Sequence, residues 1–499
     1  MSAVAANGLD ERSVSQRYSD YPSPRLYNRE LAPTQAAGRP WRAYHVFTLW
    51  ANDVHSLGNY TFAIGLFSLG LGVWQILLAF AIGAVLLYGL LNLSGLMGHR
   101  TGVPFPVLAR AAFGIDGAQV AAWIRGSVAI AWFGIQTYLA SVVLRVMLVA
   151  IWPGLNGWDH NAVLGLSSLG WLTFAALWAL QVVIVSYGMQ MVRRYVALAG
   201  PVILIAMTLL ASWMLARADF AIAMAPVNAL TGFAMWREIF AAAALWVVIY
   251  GTFVLNFCDF TRSVRSRRDI LLGNLLGIPV NMLFFAAIVV ILAGAQFSIN
   301  GQVIESPADI VRTIPNTGLL VAACVALIVL TVAVNLVANF VAPIYMLANA
   351  MPRLLDFKRA GWLSALAGLV IMPWNLYNSP IVIEYFLGGL GALLGPVFGV
   401  IMAQYWLVSH RCIDVGGLYD DRPGAPYVYR KGFNIRAFVA LAPAACISLA
   451  VALLPILEAI SGFSWFFGAV LAALSYAVIA DRSRHVAPRD GRGIAVPSD

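Results

Sequence analysis

Apolar runs of bilayer-spanning length recur along the chain, separated by short polar breaks, and no other feature limits its fold so strongly. Twelve such runs fall at about 45–70, 74–95, 121–149, 163–187, 195–215, 238–258, 271–296, 318–349, 361–377, 381–408, 436–456 and 462–480. A helix needs about 20 apolar residues to cross the hydrocarbon core. In lipid every backbone polar group must be satisfied within the structure, which leaves helices or a closed barrel. Continuous apolar runs of this length read as helices, so the sequence predicts an all-α integral membrane protein with twelve transmembrane helices. Charged residues make up 11% of the 499 positions, against about 25% in a soluble domain.

The basic residues set the orientation. Of 31 Lys and Arg residues, all but five (Arg125, Arg145, Arg217, Arg237 and Arg312) fall in the tails or in alternate loops. The positive-inside rule then puts both termini in the cytoplasm. The net charge of +9 is therefore an orientation signal, and no nucleic-acid partner is expected. The bias of Arg over Lys suggests a bacterial inner (plasma) membrane. Residues 1–43 read as a cytoplasmic tail, 44–480 as the membrane domain and 481–499 as a second cytoplasmic tail. Met1 to Pro40 is polar, so the first spanning helix is expected to serve as the insertion signal.

The four cysteines, Cys258, Cys324, Cys412 and Cys446, are scattered. That spacing indicates neither a disulfide framework nor a metal site. With no nucleophile–base pair, ligand cluster or paired carboxylates legible at membrane depth, the chain does not read as an enzyme, and no cofactor or metal is expected beyond a coupling cation.

Two of the runs are interrupted. The first contains Asn52, Asp53, His55, Ser56, Gly58, Asn59 and Tyr60; the sixth contains Tyr250, Gly251, Thr252 and Asn256 and closes on Asp259. If runs one to five and six to ten are inverted halves, these breaks occupy corresponding positions, a pattern that points to a midplane substrate site in a secondary transporter. Asp53 is ionisable at membrane depth, which favours a functional role; pairing with Arg125 or Arg145 is the alternative. In the third run Trp132 and Gln136 lie one helical turn apart. An aromatic face beside an amide suits a planar, hydrogen-bonding solute, although the spacing alone is equally that of packing residues.

Several blocks carry a resemblance: Gly-Val-Trp-Gln (72–75), the stretch from Thr101 to Ala118, Trp-Phe-Gly-Ile-Gln (132–136), Asn-Phe-Cys-Asp-Phe-Thr-Arg (256–262), Asn335-Leu-Val-Ala-Asn339, Pro352-Arg353, Met-Pro-Trp (372–374) and the stretch 394–402. In this order the chain resembles the nucleobase–cation symporter-1 family. The resemblance implies a LeuT-like fold: two inverted five-helix repeats, about 44–216 and 236–408, with two extra helices over 436–480. It implies a symporter that imports a small planar heterocycle by alternating access, with uracil the first expectation and allantoin or hydantoin the alternative. A passive channel is less favoured, and the oligomeric state is open.

It also implies site residues. Trp132 stacks on the ring and Gln136 hydrogen-bonds it. Tyr250 stands where relatives place a Trp wall. Asn339 bonds the substrate, with Asn335 one turn earlier, and His55 and Asn59 reach in from the first break. For the coupling ion the sequence departs from sodium-coupled relatives. The helix-8 positions that carry hydroxyls there are Ala333 and Val334 here, and Thr331 is near but one turn away. A hard cation wants oxygen ligands, so H+ is favoured over Na+, with Asp53 or His55 as the carrier.

Overall fold

The computed structural model describes residues 23–482; the outer part of each expected tail lies outside them. Among the described residues the chain is helical, and extended pairing is limited to isolated bridges. The first run forms α1 (Ala43–Val54) and α2 (Leu57–Ser68). Next come α3 (Val73–Thr101), the short α4 (Phe105–Phe113), α5 (Ala118–Ile151), α6 (Ser168–Ser186) and α7 (Met189–Arg217). The sixth run is α8 (Gly232–Ile249), α9 (Gly251–Asn256) and α10 (Cys258–Thr261). Then follow α11 (Arg267–Asn300), the short α12 (Pro307–Arg312) and α13 (Thr317–Ala350). The chain continues through α14 (Phe357–Val370), α15 (Pro373–Tyr377), α16 (Pro380–Met402), α17 (Ile435–Leu453) and α18 (Ser464–Ile479).

Among the described residues ten helical stretches are long and apolar enough to cross a membrane. The two expected runs that fall short are 45–70 and 361–377, and both are cut by local chemistry. After α1 the backbone leaves helical geometry at His55, and Ser56 is extended and caps α2 by accepting a hydrogen bond from the Asn59 N–H. Between α14 and α15, Met372 adopts a left-handed conformation (φ 50°) just before Pro373, whose ring disfavours helical geometry in the preceding residue.

Small residues let the helices close in. A Cβ at Gly98 of α3 would fall 2.5 Å from the Cα of Cys258, so α10 lies directly on α3 in the close-packed manner that small residues permit in membranes. α13 packs along α5, and α7 along α1.

The described part of the N-terminal stretch docks on one end of the bundle. Asn28 donates to the carbonyls of Pro352 and Leu355 (both 2.8 Å). Arg110 donates to Leu26 O and Arg262 to Glu30 O, at 3.1 and 3.0 Å. Trp41 bridges to Val264, and Leu31 is fully buried. On the same end Arg25 pairs with Asp116 (3.1 Å) and Arg436 with Asp481 (3.8 Å), so both ends of the described chain lie there.

Candidate functional site

Gln136 is buried in α5, and its Oε1 has no hydrogen-bond partner. Trp132 lies one turn before it and is half-buried. Facing them, α13 widens into a π-type turn over Leu336–Phe340, which carries Asn339. Such single turns are frequent at functional sites. The Asn339 amide donates to Asn335 Oδ1 at 2.9 Å. Asn335 in turn donates to Phe133 O, Thr137 Oγ1 and Gln181 Oε1 at 3.0, 3.1 and 2.7 Å. Its amide is therefore committed to joining α5, α6 and α13, and it stands one layer behind Asn339.

The two helix breaks meet in a second cluster. Asn59 donates to the carbonyls of Asp53 and Val54 (3.0 and 3.2 Å) and to the Tyr250 hydroxyl (3.3 Å). The buried Asp53 carboxyl lies close enough to that hydroxyl to act on it electrostatically. Tyr250 is buried at the end of α8, with its ring centroid 6.1 Å from that of Trp50. The unwound carbonyls of the first break are thus satisfied largely by Asn59, which also ties that break to the sixth run through Tyr250.

His55 joins neither cluster. Its Nδ1 meets the Tyr60 hydroxyl at 2.6 Å and its Nε2 meets Asn281 Oδ1 at 3.2 Å, which turns the ring toward α11. Arg145 pairs with Asp159 at 3.0 Å, so it is not the partner of Asp53. Asp259 of α10 accepts from the Phe105 N–H (2.6 Å) and from the Asn256 amide (2.7 Å); it ties the start of α4 to the sixth run.

The sequence did not single out Gln181, and it offered Arg125 only as a possible partner of Asp53. Gln181 holds Asn335, as described above. Arg125 donates to Thr252 O and Asn256 Oδ1 (both 3.1 Å) and to Ala338 O (2.9 Å), linking the sixth run to the Asn339 turn. Two signals pointed to Arg125: it breaks the charge pattern, and positions 125, 132 and 136 share one helix face.

What the arrangement can do chemically is hold a flat, uncharged ring. Trp132 offers a stacking face. Gln136 Oε1 and the Asn339 amide offer an acceptor and a donor, and neither cluster contains a nucleophile–base pair.

Comparison with known proteins agrees in kind. Residues 33–478 match the family model described as permease for cytosine/purines, uracil, thiamine, allantoin. The chain is 34% identical to the allantoin permease of Bacillus subtilis (strain 168), covering 92% of this chain and 94% of that one. It is 29% identical to the purine-uracil permease NCS1 of Arabidopsis thaliana, over 97% and 82% of the two chains. Among solved structures, Mhp1, a nucleobase-cation-symport-1 family transporter in a closed conformation with bromovinylhydantoin bound, matches with a TM-score of 0.75. The identity is 24%, over 91% of this chain and 95% of that one. The LeuT-like fold expected from the sequence is the fold found.

Proposed function

From the premise that this chain belongs to the nucleobase–cation symporter-1 family of permeases, and is therefore a multi-pass membrane transporter and not an enzyme, we propose that it imports a small cyclic ureide or nucleobase, with allantoin as its preferred substrate. The observation that carries the reading is the buried, unpartnered Oε1 of Gln136 on the same helix face as Trp132. An unsatisfied buried acceptor is costly, and a ring N–H stacked on Trp132 would satisfy it. Asn339, held by Asn335, supplies a donor to a ring carbonyl, and Tyr250 is assigned the second wall on the family resemblance. The substrate preference rests on the relatives: the Bacillus protein is an allantoin permease. Uracil is the second reading, supported by the Arabidopsis relative.

We further propose proton coupling through Asp53. Its carboxyl is buried at the first break near Tyr250, and Ala333 and Val334 bring no side-chain oxygen to a cation. We also propose a bacterial plasma-membrane location with both termini cytoplasmic, supported by the distribution of Arg and Lys. The test is uptake in cells lacking their own permeases, with labelled allantoin, uracil and hydantoin, with and without Na+ and with an uncoupler. Accumulation of allantoin that collapses with the uncoupler and needs no Na+ supports the reading. Preferential uptake of uracil would overturn the substrate, a strict Na+ requirement would overturn the coupling, and uncoupler-insensitive equilibration would indicate a channel.

A further inference from the structure

Arg125 is 1% exposed, about two turns into the spanning helix α5, and among the described residues no ion pair includes it. A guanidinium withdrawn from water is expensive; the nearest carboxylate link is indirect, through the Asn256 side chain to Asp259, and an ionisable group at this depth calls for a function. Its bonds run to two different bodies. Thr252 O and Asn256 Oδ1 belong to α9, the fragment just past the break at Tyr250; Ala338 O belongs to the π-type turn of α13, next to Asn339. Its Nη1 is buried without a partner, so one arm of the fork is unspent in this state. Arg125 lies two turns from Trp132 toward the start of α5, and that start is on the end of the bundle carrying both described chain ends.

In folds of this kind, access alternates by rocking one group of helices against the other around a fixed site. Opening toward the chain ends requires α9 to part from α5 and α13 at the level where Arg125 joins them. We propose that Arg125 is the latch of that gate. Its three bonds hold α9 against α5 and α13 while the site is shut on this side, and they break when it opens. Arg125 is thus a positioning residue that sets the balance between closed and open states rather than a substrate contact. The inference rests on the transporter reading above but on no particular substrate.

The test uses full-length protein in nanodiscs, with the four native cysteines replaced and a single thiol introduced by Ala342→Cys. Ala342 is buried one turn past Ala338 toward the chain-end face. The rate of its alkylation by N-ethylmaleimide reports opening. Arg125→Met is expected to raise that rate at least about tenfold. Arg125→Lys, which keeps the charge but loses the planar fork, should give an intermediate rate, and Asn256→Ala a smaller rise. A folded Arg125→Met protein that alkylates at the parent rate or more slowly would overturn the latch. If Arg125→Met does not fold, parent rates in both Arg125→Lys and Asn256→Ala would do so. Failure of the transporter reading is distinguishable: no heterocycle from the uptake panel would then change the alkylation rate of the parent. A ligand-sensitive parent rate that the substitutions leave unmoved counts against the latch alone.

Discussion

The side-chain amide of Asn339 donates to Asn335 Oδ1 across one helical turn, while the Asn335 amide is fully engaged by Phe133, Thr137 and Gln181. Two residues of the same type, four positions apart, thus have different tasks. Asn335→Ala leaves Gln181 Oε1 and the Asn339 amide without their partner in a buried setting. It is expected to lower stability by about 1–3 kcal/mol and to weaken transport as a consequence. Asn339→Ala removes the substrate-side amide and is expected to raise KM with a smaller change in Tm. Melting curves and uptake kinetics on the pair check this split; equal Tm losses with equal KM changes would contradict it.

Asp53 and His55 stand two residues apart but face different partners. Asp53 is buried near Tyr250, whereas His55 bonds Tyr60 and Asn281. Asp53→Asn should therefore abolish proton-driven accumulation while leaving substrate exchange. His55→Gln should keep the dependence of uptake on external pH and lower stability, by about 1–3 kcal/mol for the disturbed buried bonds. Uptake at acidic and neutral external pH by both variants is the measurement. Loss of pH dependence in His55→Gln but not in Asp53→Asn would reverse the assignment.

Arg262 ties the docked N-terminal stretch to α10 and α13, through Glu30 O, Ala32 O and the Tyr345 hydroxyl. Arg262→Ala is expected to free residues 23–42. Limited trypsin digestion should then cut at Arg25, Arg29 or Arg39 at least about tenfold faster, the factor that about 1.4 kcal/mol of lost docking would give if cleavage follows the open population. Unchanged cleavage would mean the stretch is held without Arg262.

Gly98 gives a packing prediction. With no room for a Cβ between α3 and α10, Gly98→Val should destabilise the protein by about 1–3 kcal/mol through overpacking, seen as a lower Tm. A wild-type Tm would show that the two helices separate without penalty.

Much of this architecture was legible because lipid permits so few backbone solutions. Run length gave the helices, and polar residues inside runs one and six gave the breaks, since those segments need partners other than their own helix. Trp132, Gln136 and Asn339 were legible as a set through the resemblance. What could not be read was which way each polar side chain at a break turns. His55, Asn59 and Asp53 lie within seven residues, and only the non-helical backbone at His55 and Ser56 sends His55 toward α11 and Asn59 onto the carbonyls of the break. Gln181 was invisible for a similar reason: a lone amide in an apolar helix gives no sign of its partner, here Asn335 on another helix.

The central claim is that Gln136 Oε1 accepts a hydrogen bond from the transported ring. Equilibrium binding of the labelled heterocycle that cells take up best, to purified parent and Gln136→Ala proteins of equal Tm, tests it most directly. Losing one hydrogen bond at a buried acceptor, about 1–3 kcal/mol, should weaken Kd about 5- to 150-fold. A Kd unchanged by the substitution would contradict the account.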